Sequence, residues 1–496
     1  MQKPRRLGIL PLSLCILIWA AGCSHANFNF GGGGGGQTAP MLLTFHDTPA
    51  AGITVTSFEV TVSGAVLQPG NVSLLASPQT IELTQLQTNS AFLSTTNVPL
   101  ATYTSLTITY ASPQYTFLND SGVSVTVGGQ PCAAGASCVV TTPTTSTLTL
   151  ALSSPSFPSV VVGATNQTLL EVDVNLNDII QSDFSLNFAN TASGAVTVTQ
   201  FTGTAGTTAI GNFNVTGQVA SVSTSPTNQF TLTTPAGKTL TIKANAAAFE
   251  FARANCTNNN FTCLAAGQIV DANVDIFSDG SLSATEVDFD DASGTQQVSG
   301  TIVTENNSPP TSFQMIVHNT IPPVASLPPG TPVTVNIGGT ASFVINNGSF
   351  VLPIGANFAS TSDVIVGQEV EARVASGTSI SNGAFTTDRL ALEQTQLEAN
   401  VSSISPQAQP FPFFVFNPLP PLFTQASVGP ATQLQVDITG AGQSGGTIFQ
   451  NLTPLSLAGV TVAQKVTASG FLFNTTGTVG SPTIVATTVR GEVPGT

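Results

Sequence analysis

Charge is scarce in this chain. Only 7% of its 496 residues are charged, and the 10 basic residues face 25 acidic ones. Cations so few and dispersed cannot neutralise a phosphate track, which excludes a nucleic-acid partner. Trp19 is the only tryptophan, and the tyrosines stop at Tyr103, Tyr110 and Tyr115. The remaining aromatics are 30 phenylalanines, whose rings lack the polar handle suited to half-wet sites. Sugar recognition by stacking platforms is therefore disfavoured, and polar recognition from loops is left. There is no H-E-x-x-H, Walker loop or dinucleotide fingerprint. Nowhere do ~18 apolar residues run on without interruption, so no membrane-spanning helix is expected. Gly 45 and Pro 32 are near ordinary usage, which excludes a collagen-like or wholly disordered chain.

What is abundant is Thr, Ser, Val and Asn, the material of strands and turns. Single cores stop growing near ~250 residues, so a chain of this length holds two to four domains.

Residues 1–22 have the form of a signal peptide. Lys3, Arg5 and Arg6 make a basic start, and Leu7 to Ala20 is an apolar stretch too short to span comfortably. Ala20-Ala21-Gly22-Cys23 follows and resembles a bacterial lipobox, with Ala20 where the pattern has Leu. The resemblance implies cleavage before Cys23 and acylation of its thiol with diacylglycerol and palmitate-like chains. At about 0.8 kcal/mol per buried methylene, two or three such chains hold a protein on a membrane. Ser24 in place of Asp resembles outer-membrane sorting, so the expected location is the outer membrane, on either face. The alternative is an ordinary secretory signal with an incidental cysteine. Loss of the leader leaves 7 basic residues against 25 acidic, a net charge of −18. Residues 23–40 include six consecutive glycines, Gly31 to Gly36, and read as a flexible tether.

The other cysteines fall in two close pairs, Cys132/Cys138 and Cys256/Cys263. In an oxidising envelope they are expected to form two local disulfides, each contributing about 2–3 kcal/mol. A zinc site is the alternative, but the spacing is not CxxC and no histidine is near. No cofactor is expected.

Residues 41–200 read as a β-sandwich. Short Thr/Val/Ile runs at Ile53–Val62, Thr80–Leu83, Thr102–Tyr110, Val123–Val127, Ser146–Leu152 and Leu169–Leu176 are separated by Gly, Pro and Asn. Three motifs stand out: Leu43-Thr44-Phe45-His46-Asp47-Thr48-Pro49, Val98-Pro99-Leu100-Ala101-Thr102-Tyr103, and Val172-Asp173-Val174-Asn175-Leu176. Together they resemble a bacterial lipoprotein module, domain-of-unknown-function family 4382, with Ala101 where that family has Gly. The family brings no established activity.

Self-comparison of residues 214–496 shows three copies at a period of about 90–100 residues: 214–292, 297–396 and 397–496. They open at Gly217–Val222, Val298–Val303 and Leu397–Val401, and their closing hairpins are expected to begin at Gly267, Gly367 and Gly459. The return strand Asp279-Gly280-Ser281-Leu282-Ser283-Ala284-Thr285-Glu286-Val287 resembles domain-of-unknown-function family 5666, which implies a small β-barrel for each copy. The expected fold is all-β, an N-terminal β-sandwich followed by three small β-barrel-like repeats.

The richest polar cluster is Gly267–Asp291, with seven acids and no base. A tight turn at Asp279-Gly280 would set Asp275 opposite Ala284, Asn273 opposite Glu286 and Asp271 opposite Asp288, all on one face. Facing like charges are destabilising. Either water screens them, which is the preferred reading, or a hard cation such as Ca²⁺ sits among Asp271, Asp275, Glu286 and Asp288. A calcium loop by motif fails because Phe277 falls at a ligand position. The second copy sets Arg373 and Arg389 among its acids. Gly442-Gln443-Ser444-Gly445-Gly446 satisfies G-x-S-x-G but is followed by no capped helix and reads as a turn. His46-Asp47 lacks a third partner and reads as a strand end. With no acid–base or nucleophile constellation, the chain is expected to be no enzyme. It reads as an envelope lipoprotein with a structural, adhesive or ligand-presenting role, its partner a membrane plus an envelope protein or glycan, and a Ca²⁺-dependent binding module is the alternative.

Overall fold

Alternation of apolar and polar side chains sets the strands. In Ser105–Leu118, Leu106, Ile108 and Tyr110 are buried while Ser105, Thr107 and Thr109 are half-exposed. The computed structural model describes residues 37–48, 54–86, 91–119, 123–141, 148–164, 166–189, 194–204, 209–235, 237–251, 256, 258–277, 281–348, 350–408, 410–424, 431–441, 445–474 and 482–491. Cys23, the glycine run, Asp279-Gly280 and Gly442–Ser444 lie outside them. The protein is all-β, as expected. Among the described residues the α-helices are the four-residue turns Leu176–Ile179 and Pro421–Thr424, and no helix is long and apolar enough to cross a membrane.

The N-terminal part is two sheets sharing one core. One sheet orders Val196–Thr204, Asn166–Asn175, Thr38–Thr48 and Ala91–Pro99, with the middle two strands parallel. Thr38–Pro40, expected in the tether, thus belong to a strand. The other sheet is centred on Thr54–Gln68 paired with Ser105–Leu118. Between them Phe45, Phe58, Tyr110, Tyr115, Phe117 and Phe188 form an aromatic core, with Phe58 stacked on Tyr115 at 5.7 Å. The Tyr115 hydroxyl donates to the Phe184 carbonyl at 2.7 Å.

Three barrels follow, with the same connectivity. Barrel one uses Ala209–Ser223, Gln229–Thr233, Thr239–Lys243, Ile269–Phe277 and Leu282–Asp291. Barrel two uses Gln297–Glu305, Ser312–Ile321, Pro332–Ile345, Glu369–Val374 and Ala384–Leu392. Barrel three uses Thr395–Ser405, Phe413–Phe416, Leu434–Ile438, Lys465–Phe473 and Thr483–Gly491. In each, strand one pairs with two and four, three runs parallel to five, and four closes on five. This is the five-stranded Greek-key arrangement of an OB-fold. A 3-10 turn, Phe261–Cys263, Thr361–Asp363 or Leu457–Gly459, lies between strands three and four.

The repeat is pinned by one recurring device. Gln268, Gln368 and Gln464 each accept, on Oε1, a hydrogen bond from the backbone N–H three residues earlier, at 2.7, 2.8 and 2.8 Å. The preceding residue is left-handed in all three, Gly267 (φ 88°), Gly367 (φ 90°) and Ala463 (φ 66°). The third closing hairpin therefore starts at Ala463, four residues beyond the expected Gly459. Glycine was a misleading marker there because alanine holds the positive φ.

The modules interlock. Lys238 Nζ of barrel one donates to the Phe92 and Leu93 carbonyls of the sandwich, at 3.1 and 2.5 Å. Barrel two reaches the sandwich through His318 Nε2 and the Thr56 carbonyl at 2.7 Å. Barrel three does so through the Leu422 N–H and Thr54 Oγ1 at 3.3 Å. Barrels two and three meet where Gln368 Nε2 donates to the Leu472 carbonyl at 2.9 Å and Phe350 packs on Phe471 at 6.1 Å. Residues Gln37–Thr496 form one compact unit.

Candidate functional site

Where the four modules meet they line a half-open cavity of about 700 Å³. Its wall takes Glu82 and Phe92 from the sandwich, Asp271, Asn273 and Glu286 from barrel one, Asn319 and Glu371 from barrel two, and Gln450 from the barrel-three region. Carboxylates and carboxamides supply much of its polar wall, beside serines, threonines, His318 and Lys238. Burial pushes the Lys238 ammonium down to about 8, and it sits 4.8 Å from the centre of the Phe92 ring. Phe92 stacks on the buried Phe213 at 5.8 Å, so these rings pack on one another.

The acidic hairpin of barrel one forms one side of this cavity. Asp271 faces Asp288 and Asn273 faces Glu286, the register expected from the turn. A bulge after Asn273 then slips the ladder, so Asp275 faces Ser283 and Val274 faces Ala284. Ala272, Val274, Ile276 and Val287 point into the barrel core, while Thr285 is exposed. The acidic face is partly covered: Asp271, Asp275 and Asp288 are half-buried and Asn273 is exposed, while the two carboxylates at its centre and base are buried. Glu286 is 7% exposed and Asp290 1%, because the sandwich and the 346–348 loop of barrel two cover them. Glu286 Oε2 accepts from Asn273 Nδ2 at 3.0 Å, while its Oε1 and Asp271 Oδ1 are buried and accept no hydrogen bond. Burial pushes the Asp271 carboxyl up to about 6; a bond from Asn214 opposes this, and the charges of Asp290 and Glu286 add to it.

Below the hairpin, Arg389 of barrel two enters the barrel-one side. Its Nη2 lies 2.8 Å from Asp290 Oδ1 and 2.5 Å from Glu371 Oε1, and Nη1 lies 3.6 Å from Asp291 Oδ2. Arg373 bridges Asp388 at 2.7 Å and Asp291 at 3.3 Å. Burial works against the Arg389 charge, but Asp290, Glu371 and Asp291 outweigh it and hold its pKa above the ordinary arginine value. Burial, and after it the charge of Asp290, pushes the Glu371 carboxyl well above its ordinary value, against the pull of Arg389.

One constellation has the outline of a catalytic triad. His318 Nδ1 is 3.3 Å from Glu369 Oε2, and its Nε2 is 3.1 Å from Thr301 Oγ1. The same Nε2 stands 2.7 Å from the Thr56 carbonyl, which can only accept, so this nitrogen carries hydrogen and is no base toward Thr301. The Thr301 hydroxyl in turn donates to Glu369 Oε1. The group clasps barrel two to the sandwich. Nothing in the single sequence marked it, because its partners are scattered over residues 56 to 369.

His46 and Asp47 stand at the end of the strand Thr38–Thr48, as expected, and both are buried. Strand alternation sends them to opposite sides, His46 toward Arg490 of barrel three and Asp47 into a recess shared with Thr54, Thr84 and Glu398. Both Asp47 carboxyl oxygens accept no hydrogen bond, and burial, helped by Asp173, Glu82 and Glu398, pushes its pKa well up. They form no dyad. Cys132–Cys138 and Cys256–Cys263 are disulfides, with Cα separations of 6.0 and 5.7 Å. Among the described residues, no three His, Cys, Asp or Glu side chains stand in ready-made metal-holding geometry.

No family model and no curated protein matches the chain. A solved structure described as "drosophila Unr CSD456" is similar at 10% identity over 56% of this chain and 97% of its own. Its TM-score of 0.12 is too low to carry an argument.

Proposed function

We propose that this is a non-catalytic binding protein of the bacterial envelope, held at the outer membrane by an acylated Cys23, which presents a glycan site where its modules meet. The observation that carries the reading is the acceptor bias of the cavity wall. Asn319 Oδ1, Asp271 Oδ1 and Glu286 Oε1 are buried acceptors without a protein donor, and a buried acceptor left unmade costs about 1–3 kcal/mol. A ligand studded with O–H or N–H donors satisfies them, and sugar hydroxyls are that chemistry. A cavity of about 700 Å³ falls in the range of small-ligand sites. The excess of carboxylates selects neutral or amino sugars and repels uronic or sulfated ones. An OB-like barrel does not imply a nucleic-acid ligand here, because function lives in the site and this wall is acidic. Modules like families 4382 and 5666 are consistent with this reading and add no activity to it.

Two experiments test it. Neutral and amino-sugar tri- and tetrasaccharides should raise the thermal midpoint and appear as bound species in native mass spectrometry, while uronic or sulfated oligosaccharides of the same length should not. Asn319→Ala should weaken the response. A panel that leaves the midpoint unmoved, or that favours the anionic sugars, overturns the glycan site. For the anchor, Cys23→Ser should shift the protein from the membrane to the soluble fraction; persistence in the membrane removes that part of the reading.

A further inference from the structure

We propose that Lys238 is a carbonyl-capture site, whose side-chain amine condenses reversibly with a polyhydroxylated aldehyde, the open-chain form of a reducing sugar. The sugar rests on the glycan reading above. The reactivity of the amine does not, and the test separates the two.

Local structure puts the amine in place. Lys238 closes the turn between strands two and three of barrel one, where its N–H donates to Thr234 Oγ1 at 3.2 Å and its carbonyl accepts the Thr234 N–H at 2.8 Å. From there the side chain reaches the edge strand Ala91–Pro99 of the sandwich. That strand bulges: Leu43 pairs with Ser94 and Thr44 with Phe92, so Leu93 is the extra residue. In a regular strand consecutive carbonyls point opposite ways, and a bulge re-aims them. Phe92 and Leu93 thus offer both carbonyls to one nitrogen. Lys238 Nζ donates to them at 3.1 and 2.5 Å and lies 4.8 Å from the centre of the Phe92 ring.

This setting suits an amine better than an ammonium. A neutral amine has two hydrogens and a lone pair. The two carbonyls take the hydrogens, and the lone pair is left for an electrophile. An ammonium has a third hydrogen, which finds no oxygen acceptor among the described residues, and Nζ makes no ion pair with them. Burial accordingly pushes the ammonium down to about 8. At pH 7.5 about a quarter of such amines are unprotonated, against about one in a thousand ordinary lysines.

The surroundings suit a hydroxylated ligand. Lys238 is half-exposed and lines two adjoining spaces, the cavity of about 700 Å³ and a groove of about 550 Å³ between the sandwich and barrel one. Ser94, Thr95, Thr239 and Thr241 line the groove. In the reaction the Nζ lone pair forms a bond to the aldehyde carbon. Both amine hydrogens pass through solvent to the carbonyl oxygen, which leaves as water as the C=N bond forms. Nothing is oxidised or reduced, and water reverses the step. The lysine holds the reducing end without consuming it.

Beyond Cys23 the chain has three lysines, and two serve as internal controls: Lys243 lines the same groove, and Lys465 is paired with Glu398. The whole mature protein is incubated with glycolaldehyde, or with a neutral trisaccharide bearing a free reducing end. Imines are fixed with cyanoborohydride and located by peptide mass mapping. At pH 7.5 Lys238 should carry at least about ten times the adduct of either other lysine with both probes. Its labelling rate should level off above pH 8. The borohydride-reduced trisaccharide, which has no aldehyde, should leave no adduct. Lys238→Arg keeps a cation and N–H donors and should abolish the selective adduct; should that variant misfold, the ratio among wild-type lysines decides. Glycolaldehyde spread evenly over the three lysines overturns the inference, whatever the trisaccharides do. Selective glycolaldehyde labelling with no trisaccharide adduct, while the reduced trisaccharide still raises the thermal midpoint, overturns the reducing end as the captured group. Selective labelling with neither trisaccharide moving the midpoint supports the amine and sinks the glycan reading alone.

Discussion

Arg389→Met should cost the folded protein about 3–5 kcal/mol, the usual loss when one partner of a buried ion network is removed. The guanidinium is 7% exposed on its side chain, and Asp290 and Glu371 are buried further, at 1% and 3%. Methionine fills similar volume, so the loss comes from charges left without their counter-ion rather than from an empty space. Because Asp290 belongs to barrel one and Arg389 to barrel two, the loss falls on the interface. Urea unfolding should then show barrels one and two parting in separate steps where wild type unfolds them together. Adding Asp290→Asn and Glu371→Gln to Arg389→Met should recover most of the stability, since neutral groups no longer need the cation. An unchanged urea midpoint for Arg389→Met would show that the network contributes nothing net.

The sequence carried the composition of strands and the spacing of the repeats, and with them the all-β fold. It also carried the pairing of Asp271 with Asp288 and of Asn273 with Glu286, because a tight turn at Asp279-Gly280 dictates register by counting. The bulge after Asn273 has no such counting signal, and it moved Asp275 off its expected partner. Burial of Glu286 was illegible for a different reason. The loop that covers Glu286 comes some sixty residues later in the chain, and Asn-Asn-Gly looks like any exposed turn. The interlocking of the modules was hidden because His318 and Lys238 bond to backbone carbonyls, which every residue possesses. Gly267 and Gly367 were visible as repeat positions, yet the role of the glutamine that follows each became plain only once Gln464 made the same bond without a preceding glycine.

In the presence of a chelator, stability should fall as pH rises from about 4 to 7, and Asp271 should account for a large part of the fall. Its folded pKa is pushed up to about 6, from an ordinary aspartate value, chiefly by burial. A carboxyl that holds its proton more tightly when folded gives the folded state more bound protons between those two values, so stability is full below about 4 and is lost through 6. About two units correspond to roughly 3 kcal/mol at most. Asp47 and Glu371 are raised in the same direction, so the wild-type slope includes their share. The difference between wild type and Asp271→Asn isolates the one residue, and it should appear as a shallower slope and a higher urea midpoint for the variant at pH 7. Urea melts at pH 4.5, 5.5, 6.5 and 7.5 would show it. Parallel curves for the two proteins would mean that the Asp271 carboxylate is already neutralised by something other than a proton.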